Sequence, residues 1–152
     1  MKVVVQRVAR AEVRVDGAVV GRVARGMLLF VCVLDGDDER ACDRLAERVA
    51  RLRFFADERG KMNLAAGDVG ASALVVSQFT LAADGRRGRR PSFDRAAPPA
   101  RAAALVERFA GRLAELGLPV ERGVFGAAME VELVNDGPVT FALDEPPTPP
   151  RD

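Results

Sequence analysis

A chain of 152 residues and 16.3 kDa is long enough for one domain with a substantial core. Hydrophobic residues make up 49% and charged residues 30%, and 23 basic against 22 acidic residues leave a net charge of +1; a disordered or fibrous chain is excluded, as is an overall basic field for nucleic acid. Histidine, tryptophan and tyrosine are absent, which removes Ser-His-Asp and Cys-His machinery and histidine zinc sites.

The opening MKVVVQRVAR meets arginine after three consecutive apolar residues, too few for a signal-peptide core, and no run approaches the ~20 apolar residues of a membrane span. A cytoplasmic protein without a membrane partner is expected. KVVVQRV and AEVRVDG read as two strands, the second alternating Val13 and Val15 against Glu12 and Arg14. Asp16-Gly17 suits a tight turn, and DGAVVGRV returns as a hairpin. MLLFVCVL, which holds Cys32, is a continuous apolar run expected as a central strand covered on both faces. DGDDE, Asp35 to Glu39, lacks the spacing of a calcium loop and reads as a solvated helix start, so no metal ligand is assigned.

Asp37 or Asp38 caps a helix from about Glu39 to Arg53, with Leu45, Val49 and Leu52 on one face. Cys32 and Cys42 form no CxxC spacing and are expected as reduced, largely buried thiols. SALVVSQFTL is a further apolar strand that ends in Ser77, Gln78, Phe79 and Thr80. Those residues either leave the core without further purpose or stand as functional groups on a rigid strand end.

DGRRGRRPSFDR, Asp84 to Arg95, is a long loop lacking the GxxxxGK[ST] phosphate-loop pattern. Guanidinium forks suit phosphate oxygens, which makes Arg86, Arg87, Arg89 and Arg90 candidate RNA ligands, with Phe93 a candidate stacking platform. A solvated basic loop is the competing reading. Pro98 and Pro99 start a second helix whose stripe is Leu105, Phe109, Leu113 and Leu116, closed by Gly117 and Pro119. PVERGVF, MEVELV and VTFAL supply the last strands.

Between the last two runs, Asn135-Asp136-Gly137-Pro138 reads locally as a connecting turn, and only ~5% of X-Pro bonds are cis. Glycine followed by proline nevertheless offers two carbonyls with no Cβ on the first residue and no N–H on the second. DEPPTPPRD is rich in proline, and residues 145–152 of it are expected to be a short disordered extension after a single domain over 1–144. Strands, helix, strand, long loop, helix and strands in that order predict an α+β or mixed α/β fold with few helices on one side of mixed sheets.

Taken together, VVSQFTLAA, GRRPSF, GKMNL and VNDGPVTF resemble the D-aminoacyl-tRNA deacylases, and the likeness extends from VVVQRVARAEVRVDG to about Leu143. Its specificity lies in SQFTL at Ser77 to Leu81 and NxGPxT at Asn135 to Thr140. The resemblance implies mixed sheets forming a partly closed barrel-like core with about two helices outside. It also implies a homodimer with active sites at the subunit interface, acting on aminoacylated tRNA with no cofactor, metal or DNA partner. A cis Gly137-Pro138 element of one protomer would enter the pocket of Ser77, Gln78, Phe79 and Thr80 of the other and exclude L-amino acids with main-chain atoms. Asn135 belongs to the substrate-binding set, and Arg7 and Met129 match family positions near the Gly-Pro element, as its supports.

The activity implied is hydrolysis of the ester of D-aminoacyl-tRNA, and of glycine mischarged on tRNA(Ala), since a site that rejects L side chains has nothing to reject in glycine. No base is identifiable beside Thr80, so water attack assisted by the ribose 2′-OH is expected, with N–H groups near Phe79 and Thr80 facing the oxyanion, over covalent catalysis by Thr80. Two other readings compete: an editing module like those of some archaeal threonyl-tRNA synthetases, and a non-catalytic RNA-binding dimer.

Overall fold

The computed structural model describes residues 1–86 and 88–148; Arg87 and residues 149–152 lie outside the described residues. The chain begins with one long strand, β1 (Lys2–Val15), instead of the two expected. The cause is visible in its burial. Val3 and Val5 face inward, then Val8, then Ala11 and Val13, so the alternation slips by one residue twice. The ladder with the last strand is irregular at those two places, between Gln6 and Val8 and between Val8 and Arg10. Bulges reset which face a strand buries without ending it.

Asp16 and Gly17 turn the chain with φ of 50° and 78° into β2 (Ala18–Val23), as their sequence predicted. β3 (Gly26–Cys32) is the central strand. Met27, Leu29 and Val31 pack toward the helices with Leu45, Val49, Leu105 and Phe109, while Leu28 joins Val8, Val13, Leu74 and Val76 in a second cluster. Demand from both faces explains the unbroken apolar run.

Helix α1 (Glu39–Arg51) is capped by Asp38, whose carboxylate accepts from the Ala41 N–H at 2.7 Å. The neighbouring Asp37 corrects the expectation of a solvated acidic start. It is buried and accepts from the Met1 α-ammonium and from the Leu34 N–H, each at 2.7 Å. A short hairpin follows, β4 (Phe55–Ala56) and β5 (Met62–Leu64), and then β6 (Ser72–Ser77). Helix α2 (Pro99–Glu115) lies against α1, with Arg101, Arg108 and Arg112 paired to Glu39, Asp43 and Glu47. β7 (Val120–Arg122) and β8 (Glu130–Asp144) complete the fold.

The main sheet runs β2-β1-β3-β6-β7, and β8 pairs along the other side of β1. Pairs of β1 with β2, β3 and β8 are antiparallel, whereas β3–β6 and β6–β7 are parallel. The sheet curls until β2 meets β7. At Gly21 a Cβ would overlap the Arg122 carbonyl oxygen, so only glycine permits this closure. The architecture is the mixed α/β, nearly closed barrel with two external helices that was expected.

After β8, residues 145–148 correct the expectation of a disordered tail as far as they are described. Glu145 is buried under Arg44 and Arg48 at 2.7 Å each, its N–H donates to the Met1 carbonyl, and Thr148 Oγ1 lies 3.0 Å from Asp38 Oδ1. Burial alone would raise the Glu145 carboxyl, but the hydrogen bonds from Arg44 and Arg48 outweigh it and hold the group below its usual value. Among the described residues, no helix is long and apolar enough to cross a membrane.

Candidate functional site

β6 stops at Ser77, earlier than SALVVSQFTL suggested, because the chain folds into a 3₁₀ turn over Phe79–Ala82. Gln78 N–H donates to the Val31 carbonyl at 2.8 Å, and Leu81 N–H to the Gln78 carbonyl at 3.3 Å. Phe79 and Thr80 open the turn, where N–H groups have no partner within it. Gln78 Nε2 also donates to Thr80 Oγ1 at 2.5 Å. Ser77, Gln78 and Phe79, but not Thr80, edge a cavity of about 500 Å³, largely apolar, to which Phe93, Ala102 and Phe125 contribute. Phe79 is 59% exposed and meets Phe93 edge-on at 5.2 Å between centroids, so Phe93 is a wall of this cavity.

Beneath the turn, the buried Cys32 thiol lies 3.7 Å from the Phe79 carbonyl. Burial raises both thiols, Cys42 to about 12, which makes them inert packing groups.

The arginine loop is closed at its neck by reciprocal main-chain hydrogen bonds between Asp84 and Ser92, at 2.8 and 2.9 Å. Arg86 folds back onto Asp84 and holds that carboxyl well below the usual range. It differs in this from Arg89 and Arg90, which are exposed with no ion pair among the described residues. Arg87 lies outside the described residues.

Asn135-Asp136-Gly137-Pro138 is not a turn between two strands. β8 runs straight through it, and Val134 to Glu130 continue along β1 beyond it. The reason is the length of β1, which offers one continuous edge to both halves of β8. Gln6 pairs with Thr140 and Val8 with Asn135, so the four residues Asp136 to Val139 stand opposite Arg7 alone. They form an exposed bulge in which the Gly137-Pro138 peptide is cis and Gly137 has φ of 150°. Arg7 fills the gap: its Nε donates to the Asp136 carbonyl at 3.0 Å and its Nη1 to the Phe54 carbonyl at 2.6 Å. Asn135 Oδ1 accepts from the Val139 N–H at 2.8 Å.

Met129 sits elsewhere. Its Sδ accepts from the Val124 N–H at 3.4 Å and packs against Gly123, propping the segment whose Phe125 lines the cavity. Within one chain the two motifs are far apart. Ser77 shares a row with Val31, Val3 and Leu143, whereas Gly137 stands opposite Arg7, four residues farther along β1, about 13 Å at the usual rise per residue, and three strands across the sheet, about 14 Å at the usual spacing. Thr140, which closes the NxGPxT motif but was not among the expected site residues, and Gln6, which no pattern singled out, join the bulge through a hydrogen bond from Gln6 Nε2 to Thr140 Oγ1. The slip in alternation at Gln6-Arg7-Val8 was the available signal.

A family model described as D-Tyr-tRNA(Tyr) deacylase matches residues 4–144. Proteins named D-aminoacyl-tRNA deacylase are similar over most of their length. That of Thermomicrobium roseum is 60% identical over 144 residues, covering 95% of this chain and 94% of its own. That of Ruegeria pomeroyi is 56% identical over 144 residues, covering 95% and 99%. A solved structure described as a c-Myc DNA unwinding element binding protein superposes with a TM-score of 0.91 at 36% identity, over 96% of this chain and 99% of its own. One described as a probable eukaryotic D-amino acid tRNA deacylase has a TM-score of 0.80 at 17% identity over 93% and 97%, a likeness of fold.

Proposed function

The chain belongs to the D-Tyr-tRNA(Tyr) deacylase family, and we propose that it hydrolyses the ester of D-aminoacyl-tRNA, and of glycine mischarged on tRNA(Ala), as a homodimer with composite sites. The observation that carries this reading is the separation of the two motifs. The cavity edged by Ser77, Gln78 and Phe79 and the projecting Gly137-Pro138 bulge lie about 13 Å apart along the strands of one chain and three strands apart across its sheet, which supports a site completed by the bulge of a second copy.

In the assembled site the Gly137 and Pro138 carbonyls accept hydrogen bonds from the substrate ammonium. The same atoms fill the space into which an L side chain would project. A D side chain points away and is not read, which suits an enzyme that clears many D-amino acids. The apolar cavity beside Phe79 receives the terminal adenosine, and Met129 supports its far wall. Phe79 and Thr80 N–H groups, free at the start of the 3₁₀ turn, face the oxyanion as water attacks with help from the ribose 2′-OH. Thr80 Oγ1 already accepts from Gln78 and has no base beside it, which favours water over Thr80 as nucleophile. Exposed and without an ion pair among the described residues, Arg89 and Arg90 are the proposed contacts to RNA phosphates, and the cytoplasm, where aminoacyl-tRNA is found, is the expected compartment.

Two measurements test the proposal. Deacylation of D- and L-tyrosyl-tRNA by the purified protein is expected to be fast for D and negligible for L; comparable L cleavage, or tRNA binding without accelerated ester loss, overturns it. Mixing subunits tests the composite site. Ala102→Trp fills the cavity and Gly137→Val spoils the bulge, so each homodimer is expected to be inactive. A mixed dimer keeps one intact site of two, and random exchange restores about a quarter of the wild-type sites. No recovery on exchange would place both motifs in separate roles.

A further inference from the structure

Four residues ejected from a strand opposite one carry no ladder hydrogen bonds of their own, so their position depends on whatever closes the neck of the bulge. Here the closure is polar and reaches across to β1. Asn135 Nδ2 donates to Thr140 Oγ1 at 2.9 Å, joining the two residues that flank the bulge. Gln6 Nε2 donates to the same oxygen at 3.2 Å. The other end of the Asn135 carboxamide accepts the Val139 N–H, inside the bulge. A continuous relay therefore runs from Gln6 on β1 through Thr140 and Asn135 to the residue next to Pro138.

A threonine hydroxyl has two acceptor lone pairs and one hydrogen. Both lone pairs are taken by amide N–H donors, which pins Oγ1 and fixes the Asn135 carboxamide with its oxygen toward Val139. Without Oγ1 the carboxamide loses the partner of its NH2 group and is free to rotate, releasing Val139. Thr140 is exposed and Gln6 only half-buried, so hydrogen bonds here contribute little to the stability of the fold. Their consequence is positional. Arg7 holds the bulge where it leaves the ladder, at Asp136, and the relay holds it where it returns, at Val139.

We propose that Gln6 and Thr140 are positioning residues for the Gly137 and Pro138 carbonyls, setting the height and angle at which the bulge stands and hence how strictly an L side chain is excluded. The inference rests on the function proposed above. It assigns to a hydroxyl and a distant glutamine a share of a selectivity that main-chain atoms exert.

The test compares Thr140→Val, which keeps the shape and loses the oxygen, with Thr140→Ser, which restores it, and with Gln6→Met, which removes only the outer donor. The readouts are the ratio of D- to L-tyrosyl-tRNA deacylation and the thermal midpoint. Thr140→Val and Gln6→Met are expected to lower the ratio about tenfold or more, the scale of a sub-ångström misplacement, with the midpoint unchanged; Thr140→Ser is expected to return it to within about threefold of wild type. A wild-type ratio in Thr140→Val, or no rescue by Thr140→Ser, overturns the assignment. Should Thr140→Val fail to fold, Gln6→Met decides, and a wild-type ratio there overturns it. Gly137→Ala is run alongside: if its ratio also equals wild type, the gate itself has failed, whereas a lowered ratio in Gly137→Ala alone sinks only the relay.

Discussion

Gly137→Ala tests whether the bulge excludes by main-chain atoms. A Cβ built on Gly137 falls 2.7 Å from the Val139 nitrogen and 2.6 Å from Val139 Cγ2. Ordinary contacts begin near 3.4 Å, so the backbone must give by 3.4 − 2.7, about 0.7 Å. The φ of 150° adds strain of about 1–3 kcal/mol for a residue with a side chain. Because Gly137 is exposed and both arms of β8 stay paired to β1, that strain is relieved by moving the bulge, and the thermal midpoint should fall by only a few degrees. If the carbonyls act as proposed and must fit a substrate within about 0.5 Å, a shift of about 0.7 Å corresponds to a roughly 10- to 100-fold fall in the D to L deacylation ratio. Deacylation assays with D- and L-tyrosyl-tRNA on the same preparation measure it. A variant that folds and keeps both the rate and the ratio would refute the reasoning.

Other perturbations act on separate parts of the molecule. Asp37→Asn leaves the buried Met1 ammonium without its counter-charge, a loss of about 3–5 kcal/mol in urea unfolding; less than 1 kcal/mol would mean that the pair contributes nothing. Glu145→Gln reads the strap after β8. The folded carboxyl lies below its ordinary 4.5, so its contribution is present above that value and is lost as pH falls through the lower folded one. The stability gap between wild type and variant should therefore be full at pH 7 and close in acid, and a gap that widens in acid would contradict the direction. Reversing charge at Arg89 and Arg90 should weaken tRNA binding and reduce its salt slope by about 1 to 2, and an unchanged slope removes both from the phosphate contact. Thr80→Ala should keep a substantial fraction of turnover if water is the nucleophile, and complete loss with a trapped acyl group in wild type would reverse that assignment.

Much of this was legible in the sequence. Caps, apolar stripes and the Asp16-Gly17 turn gave both helices and the first hairpin, because those signals are local and nothing distant overrode them. The failures share a cause. Asp37 looked like any acid at a helix start, since its partner is an amine 36 positions away. The tail looked disordered by composition, since the residues that hold Glu145 and Thr148 belong to α1. Arg86 differs from these, since its pairing is local, with Asp84 two residues earlier.

Asn135 to Pro138 is the most instructive failure, because a turn and a bulge are written with the same residues and differ only in what lies opposite. A turn would reverse the chain and leave Gly137 and Pro138 at a loop tip, the part of a fold with the least support. The strand β1, continuing past Val8 to Arg14, keeps Val134 to Glu130 paired to it, so the bulge is anchored on both sides and stiffened by Arg7 beneath it. A gate that discriminates by carbonyl position needs that double anchorage, since carbonyls on a free loop would yield to an L side chain instead of rejecting it. The long edge of β1, which the sequence divides into two strands, is thus what would give the proposed main-chain gate its rigidity.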